Sequence, residues 1–208
     1  MATSIPLDER QLWCQFQAGD ELAFQKIHQQ HIQHLVNYGL RLHGSLSVVE
    51  DCVQDVFIEL WQYRQRLVQP TSVRFYLLKA LRNRLKAQYR RDQPFVSGWD
   101  ADPERQFPDS QPFDTEPSAE QQIIALDIDA ERSRQIRQAM NALTPRQREI
   151  MYLRYFNDLT YEQICEVMVI NYQTARSQIY QGLKTLRILL TNKELLFIIV
   201  VTFLIRQK

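Results

Sequence analysis

The chain has 208 residues, which is long enough for one or two compact domains with cores of their own. Its 25 basic and 24 acidic residues nearly cancel, but this balance does not exclude nucleic-acid binding, because the charges are unevenly distributed along the chain. Glycine is scarce and apolar residues recur at helical spacing, which favours an all-α fold.

The three cysteines, Cys14, Cys52 and Cys165, lie far apart among helical residues and form no CxxC pair. This pattern indicates reduced core thiols in a cytosolic protein. We expect no secretory signal, because the first residues lack a basic segment followed by an apolar run.

The first helical signals surround Gly19 and Asp20, which are typical of a helix end followed by a new N-cap. Apolar residues then recur every three or four positions from Leu22 to Val36, which predicts an amphipathic helix. Gly39 and Gly44 are expected to loosen the chain after it.

A second strong helix is predicted around residues 47–61. Ser47 and Glu50 match a capping box, in which each side chain satisfies a free amide of the first turn. The apolar face of this helix runs from Val49 to Trp61. Solvation is the simpler explanation of the opposite, polar face when it is taken alone. That face carries Asp51, Gln54, Asp55 and Glu59.

A third helix is predicted from Val73 to Arg91, and every charge within it is basic. Seven positive charges in eighteen residues favour binding to phosphates over simple solvation. Tyr76 and Tyr89 lie between these charges, and aromatic rings can stack on the bases of single-stranded DNA. The basic residues are Arg74, Lys79, Arg82, Arg84, Lys86, Arg90 and Arg91.

Residues 93–117 contain five of the eight prolines, with Asp, Ser and Gln around them. Such a segment cannot bury enough apolar surface to offset its ordering entropy, which indicates a linker. We therefore predict two small helical domains, residues 1–93 and 119–192, joined by a flexible acidic linker at 94–118. An apolar tail follows at 193–208.

The second half carries three N-terminal helix signals. Thr144 with Pro145 and Gln147 combines a capping box with proline at the first helical position. Thr160 with Gln163 repeats the capping box, and Asn171 is expected to cap a last long helix, residues 172–190.

Residues 159–186 therefore have the form of a helix-turn-helix, with Val169, Ile170 and Asn171 as the turn. Amide and guanidinium groups on such a second helix can read base edges in the major groove of DNA. A plain helical hairpin with a polar outer face is the alternative. The inner face is predicted to carry Ala175, Ile179, Leu183 and Leu186, and the outer face Gln173, Arg176, Ser177, Tyr180, Gln181 and Lys184.

The segment ALTPRQREIMYLRYFNDLTYEQICEVMVINYQTARSQIYQGLKTLRILL, residues 142–190, resembles region 4 of the extracytoplasmic-function (ECF) sigma factors. Val169 stands where that family usually has glycine. The matching positions are Leu143, Pro145, Arg146, Gln147, Arg148, Arg154, Tyr155, Tyr161, Glu162, Ile164, Thr174, Arg176 and Ser177. The resemblance implies binding to the promoter −35 element through Gln173, Thr174, Arg176, Ser177, Tyr180, Gln181 and Lys184.

The first half is similar to region 2 of the same family. VEDCVQDVFIELW resembles the helix that binds the clamp helices of the largest polymerase subunit, and VRFYLLKALRNRLKAQYRRD resembles the segment that melts and holds the −10 element. Tyr76 stands where the family usually has Trp, and Ala87 where it often has Asp. Implied polymerase contacts are Asp51, Gln54, Asp55 and Phe57; implied −10 contacts are Tyr76, Lys79, Arg82, Asn83, Lys86, Arg90 and Arg91.

The sequence shows no phosphate-cradling glycine loop, no GxSxG turn and no Cys/His nucleophile pair. We therefore expect no enzyme activity, no cofactor and no small-molecule substrate. His28, His31 and His34 follow one another in three-residue steps, which spread their side chains around a helix, so we expect no metal site.

Residues 195–205 are almost wholly apolar. As a helix they would reach only about half of a roughly 30 Å hydrocarbon core, so they do not predict a transmembrane span. We expect this tail to dock on the protein itself or on a regulatory partner, because an exposed apolar run promotes association. Contact with a membrane surface is the weaker alternative.

The resemblance implies a cytoplasmic sigma factor that binds RNA polymerase core, recognises −35 and −10 elements, assists DNA melting and is controlled by an anti-sigma factor. Two alternatives remain at this point. A stand-alone helix-turn-helix regulator would not need the Asp51, Gln54 and Asp55 face. A membrane-tethered signalling adaptor would rest on the apolar tail alone.

Overall fold

The computed structural model describes residues 7–92 and 138–189. Within these ranges every regular element is a helix, which confirms the all-α prediction. The chain divides into two compact units, Met1–Asp109 and Ser110–Lys208, called here the first and second unit. The predicted linker at 94–118 and the apolar tail at 193–208 lie outside the described residues.

The first unit is a helical bundle in which α2, α3 and α4 pack against one another and α1 packs on α2. Aromatic rings pack between the helices. The ring centroid of Phe24 in α2 lies 5.0 Å from that of Trp61 in α3 and 5.9 Å from that of Phe16 in α1. Its elements are α1 (Leu7–Gln17), α2 (Glu21–Leu42), α3 (Leu46–Tyr63), a 3₁₀ turn (Arg64–Arg66) and α4 (Val73–Asp92).

The junction between α1 and α2 confirms the predicted stop and N-cap. Gly19 has a φ of +94°, a conformation that L side chains rarely adopt. The Asp20 carboxylate accepts hydrogen bonds from the backbone N–H groups of Leu22 and Ala23, at 2.8 and 3.3 Å. These bonds satisfy amides that the first turn of α2 leaves without a helical partner.

The prediction that Gly39 loosens the chain is wrong. Gly39 is buried inside α2, which continues to Leu42. A Cβ atom at this position would lie 2.5 Å from Cγ1 of Val49. The missing side chain therefore lets α3 approach the backbone of α2, which is a packing role.

The predicted capping box of Ser47 and Glu50 is also wrong. Helix α3 begins earlier, at Leu46, with Ser45 at the N-cap and without a side-chain capping bond. The backbone carbonyl of Ser45 already accepts the N–H of Val49, at 3.1 Å, so Ser47 and Glu50 lie inside the first turn.

The cysteines differ from one another, and the prediction of three core thiols holds only for Cys52, which is buried. Cys165 is half-buried. Cys14 is exposed, because its neighbours Trp13 and Phe16 face the core and leave it on the outer side of α1. None of the three, all of which lie in the described part of the chain, forms a disulfide bond.

The second unit contains α5 (Pro145–Tyr155), α6 (Tyr161–Met168) and α7 (Tyr172–Leu189), preceded by helical residues 138–141. Helix α7 packs on both α5 and α6. Both predicted capping boxes are present, with Thr144 paired to Gln147 and Thr160 paired to Gln163. Among the described residues, no helix combines the length and apolar character that a bilayer crossing requires.

Candidate nucleic-acid interface

The turn between α6 and α7 has the predicted helix-turn-helix geometry. Val169 ends α6 in the left-handed conformation, with φ 56° and ψ 54°, and Ile170 donates to the carbonyl of Cys165 at 3.0 Å. The side chain of Asn171 accepts the N–H of Thr174 at 2.7 Å, which confirms it as a cap of α7. Valine thus adopts a conformation that usually favours glycine.

Helix α7 presents one face to its core and one to solvent. Ala175, Ile179 and Leu186 are buried and Leu183 is half-buried, as the sequence predicts. Thr174 is half-buried and its N–H is engaged in the cap. Each of the six predicted outer residues is exposed, and their spacing of three and four places them on one side of the helix. They are Gln173, Arg176, Ser177, Tyr180, Gln181 and Lys184.

Three residues that match the family pattern support this helix pair from inside the second unit. Arg148 is buried and donates to the carbonyls of Asn141 and Leu143, at 3.3 and 3.2 Å, and burial lowers its pKa. Arg154 donates to the carbonyl of Leu159 at 2.7 Å. Burial raises the pKa of Tyr155 to about 12. The two arginines thus hold the carbonyls around the start of α5 and before α6 in place.

The basic helix α4 presents a polar stripe that consists of Lys79, Asn83, Lys86 and Arg90. These residues follow one another at intervals of four, three and four, which places them on one face. Asn83 and Arg90 are exposed, and the two lysines are half-buried. Arg91 is exposed beside this stripe, at the end of the helix. This surface can lie along a phosphate backbone.

Two of the predicted −10 contacts lie deeper. Arg82 is only 7% exposed. Tyr76 is half-buried and meets the ring of Trp13 edge-on, at 6.2 Å between centroids. Burial raises the pKa of Tyr76, and Glu59 adds to the effect. Both side chains pack within the first unit, while Asn83, Arg90 and Arg91 are the exposed residues among the predicted contacts.

The acidic face of α3 is exposed at Asp51 and Gln54 and half-buried at Asp55. Phe57 is placed differently from the expected partner contact: it is 4% exposed and packs in the core. Its ring lies 4.5 Å from that of His28 and 6.2 Å from that of Phe24. Phe57 therefore fixes the position of α3 on α2.

Two residues join this face that the sequence interpretation missed. Ile58 is 44% exposed and lies one turn beyond Gln54. Arg84 of α4 forms a salt bridge with Asp55 at 2.6 Å and also pairs with Glu59. Helical spacing could have revealed Ile58. Nothing local could have revealed the pairing of Arg84, because its partners lie on another helix.

Comparison with known proteins identifies the family. A family model described as Sigma-70 region 2 matches residues 27–94, and one described as Sigma-70, region 4 matches residues 133–186. Together the two matches span more than half of the chain. The RNA polymerase sigma factor SigV of Bacillus subtilis (strain 168) is 37% identical over 60 residues. These residues form 29% of this chain and 36% of that relative, so the match spans about a third of its length.

Two solved structures share the fold. The first is the sigma factor RpoE in complex with the anti-sigma factor NepR from Bartonella quintana, with a TM-score of 0.57 and 21% identity over 81% of this chain and 96% of that one. The second is CnrH in complex with the cytosolic domain of CnrY, with a TM-score of 0.53 and 17% identity over 88% of this chain and 97% of that one. With both family regions matched in order, the chain belongs to the sigma-70 family.

Proposed function

We propose that this chain is a sigma factor that binds RNA polymerase core and directs promoter-specific transcription initiation. The observation that carries this proposal is the presence, in one chain, of an exposed acidic helix face and an exposed helix-turn-helix face. A regulator that only binds duplex DNA needs the second face and has no use for the first.

The outer face of α7 would read the −35 element in the major groove. Arg176 can donate two hydrogen bonds to guanine, and Gln173 and Gln181 can pair with adenine edges. Lys184 lies further along the same face and can hold a phosphate. Thr174 would position the start of the helix through the Asn171 cap.

The stripe on α4 would hold the −10 element. Its lysines and Arg90 supply counter-charge for phosphates, and Asn83 can bond to a base edge. Melting would be driven by binding, because contacts that form only with separated strands shift the equilibrium toward the open DNA. No covalent step is required.

Asp51 and Gln54, which are exposed, and the half-buried Asp55 would contact the clamp helices of the largest polymerase subunit. Carboxylates at the rim of an interface favour a basic partner surface and increase the rate of association. The proposal places the protein in the cytoplasm and includes an anti-sigma partner. A solved fold relative, RpoE, is bound to the anti-sigma factor NepR, which supports that part of the proposal.

The test is in vitro transcription with sigma-free bacterial core polymerase on a pool of promoters. Asp51→Ala/Gln54→Ala removes two exposed side chains of the acidic face without touching the salt bridge of Asp55. The matched control, Glu21→Ala/Gln25→Ala, removes an exposed acid and an exposed glutamine from α2 at nearly the same spacing.

Specific start sites are expected with the wild-type chain and with the control, and weaker transcripts with the α3 variant. Equal transcripts from both variants would refute the role of the acidic face. Binding to duplex DNA without any polymerase-dependent transcript would identify a stand-alone helix-turn-helix regulator instead.

A further inference from the structure

The side chain of Arg84 crosses from α4 to the acidic face of α3. Its Nε and Nη2 atoms both donate to Oδ2 of Asp55, at 3.2 and 2.6 Å. Its Nη1 atom donates to Oε1 of Glu59. One guanidinium thus holds two carboxylates that lie one helical turn apart on α3.

This arrangement of hydrogen bonds leaves part of the acidic face of α3 available to a partner. Both bonds to Asp55 end on Oδ2, and a carboxylate oxygen accepts bonds independently of its neighbour, so Oδ1 remains open to another donor. The side chains of Asp55 and Glu59 are 46% and 50% exposed. The hydrogen bonds to Asp55 raise the pKa of Arg84, so its charge is maintained.

We propose that Arg84 is a positioning residue for polymerase binding, which orients Asp55 and Glu59 so that their remaining oxygens meet the donors of the partner. This inference rests on the proposed function. It adds a residue of the α4 helix to the polymerase-binding machinery, next to the DNA-facing Asn83 in the chain.

Two effects of Arg84 oppose each other. Its positive charge lowers the attraction of the acidic face for a basic partner, but solvent screens charges that are this exposed. Its forked guanidinium group also fixes two flexible side chains before binding. Without it, binding of the partner would have to order these side chains, which would lower the affinity. The second effect is the larger, because ordering is not screened by salt.

The experiment measures the dissociation constant between the end-labelled full chain and sigma-free core polymerase by fluorescence anisotropy. Arg84→Gln is expected to weaken binding about fivefold, which corresponds to the ordering of one or two side chains. Arg84→Lys keeps the charge without the fork and should recover part of the loss. Arg66→Gln, which removes an exposed arginine from the same unit, is the control and should bind like wild type.

A second comparison uses the Asp55→Ala/Glu59→Ala background, which removes the acceptor oxygens of both side chains. Arg84→Gln should add no further loss there, because its targets are gone. A loss that persists would mean that Arg84 touches polymerase directly, and would overturn the positioning role. Unchanged or tighter binding by Arg84→Gln, with a far-ultraviolet spectrum like that of wild type, would overturn it too. A wild-type chain that does not bind core polymerase would refute the proposed function, and this inference with it.

Discussion

Replacing Val169 by glycine tests how much strain the helix-turn-helix stores in its turn. Val169 has φ 56° and ψ 54°, and it is 58% exposed. The left-handed conformation costs an L residue about 1–2 kcal/mol, and branching at Cβ places valine at the upper end. Glycine avoids this cost, but its greater freedom in the unfolded chain lowers the stability of the folded state by about 0.5–1 kcal/mol.

Because the exposed valine loses little burial, the balance predicts that Val169→Gly stabilises the second unit by about 1 kcal/mol. Hydrogen exchange measured by mass spectrometry on peptides from α6 and α7 can follow this unit within the full chain. Exchange that requires unfolding of the unit should slow about fivefold. Peptides from α3 in the first unit provide an internal reference.

The matched control is Val169→Ala, which keeps a Cβ atom in the left-handed conformation and should give less than half of the gain. Faster exchange in Val169→Gly, or an equal gain in both variants, would show that the turn stores no backbone strain at this residue.

Three further predictions concern other parts of the chain. Lys184→Ala should weaken binding to duplex DNA uniformly across sequences and reduce the slope of log affinity against log salt by about 1; an unchanged slope would exclude a phosphate contact. Burial, with Arg74 and His34 nearby, lowers the pKa of His31 to about 4 from its usual 6.5, so the unfolded chain binds the extra proton between these values. The first unit should therefore keep its full free energy of unfolding above pH 6.5 and lose about 3 kcal/mol of it as the pH falls to 4. Urea titrations followed by tryptophan fluorescence measure this dependence, and His31→Leu should flatten it. A His31→Leu curve as steep as that of wild type would assign the pH dependence to other groups. Gly39→Ala should destabilise the first unit by about 2 kcal/mol through its clash with Val49, and Val49→Ala in the same chain should recover part of the loss; failure to recover it would exclude the clash as the cause.

The helix boundaries that the sequence predicted correctly depend on contacts within a few residues. Asp20 caps the amides two and three positions ahead of it, and Thr144, Thr160 and Asn171 each cap an amide three positions ahead. Side chain and backbone meet at such separations whatever the rest of the fold does. The inner and outer faces of α7 follow from helical periodicity in the same way, so most of its outer face could be identified from the sequence alone.

The sequence-based predictions failed at positions where packing against a second helix determines the role of the residue. The local sequence predicts a loosened chain at Gly39 and an N-cap at Ser47. The packing of α2 on α3 and the earlier start of α3 give these residues other roles. Phe57 matched a motif for partner contact, yet the rings of α2 draw it into the core.

Two long-range contacts show what the tertiary structure added. Glu9 of α1 accepts the N–H of Val73 at the start of α4, 64 residues away, at 3.1 Å. Arg84 reaches Asp55 across 29 residues. The sequence alone determined the class of fold, the helix-turn-helix and the chemistry of its outer face, because these depend on residue type and helical period. Which charges of α3 and α4 pair with each other was decided only by folding, because it depends on how two helices cross.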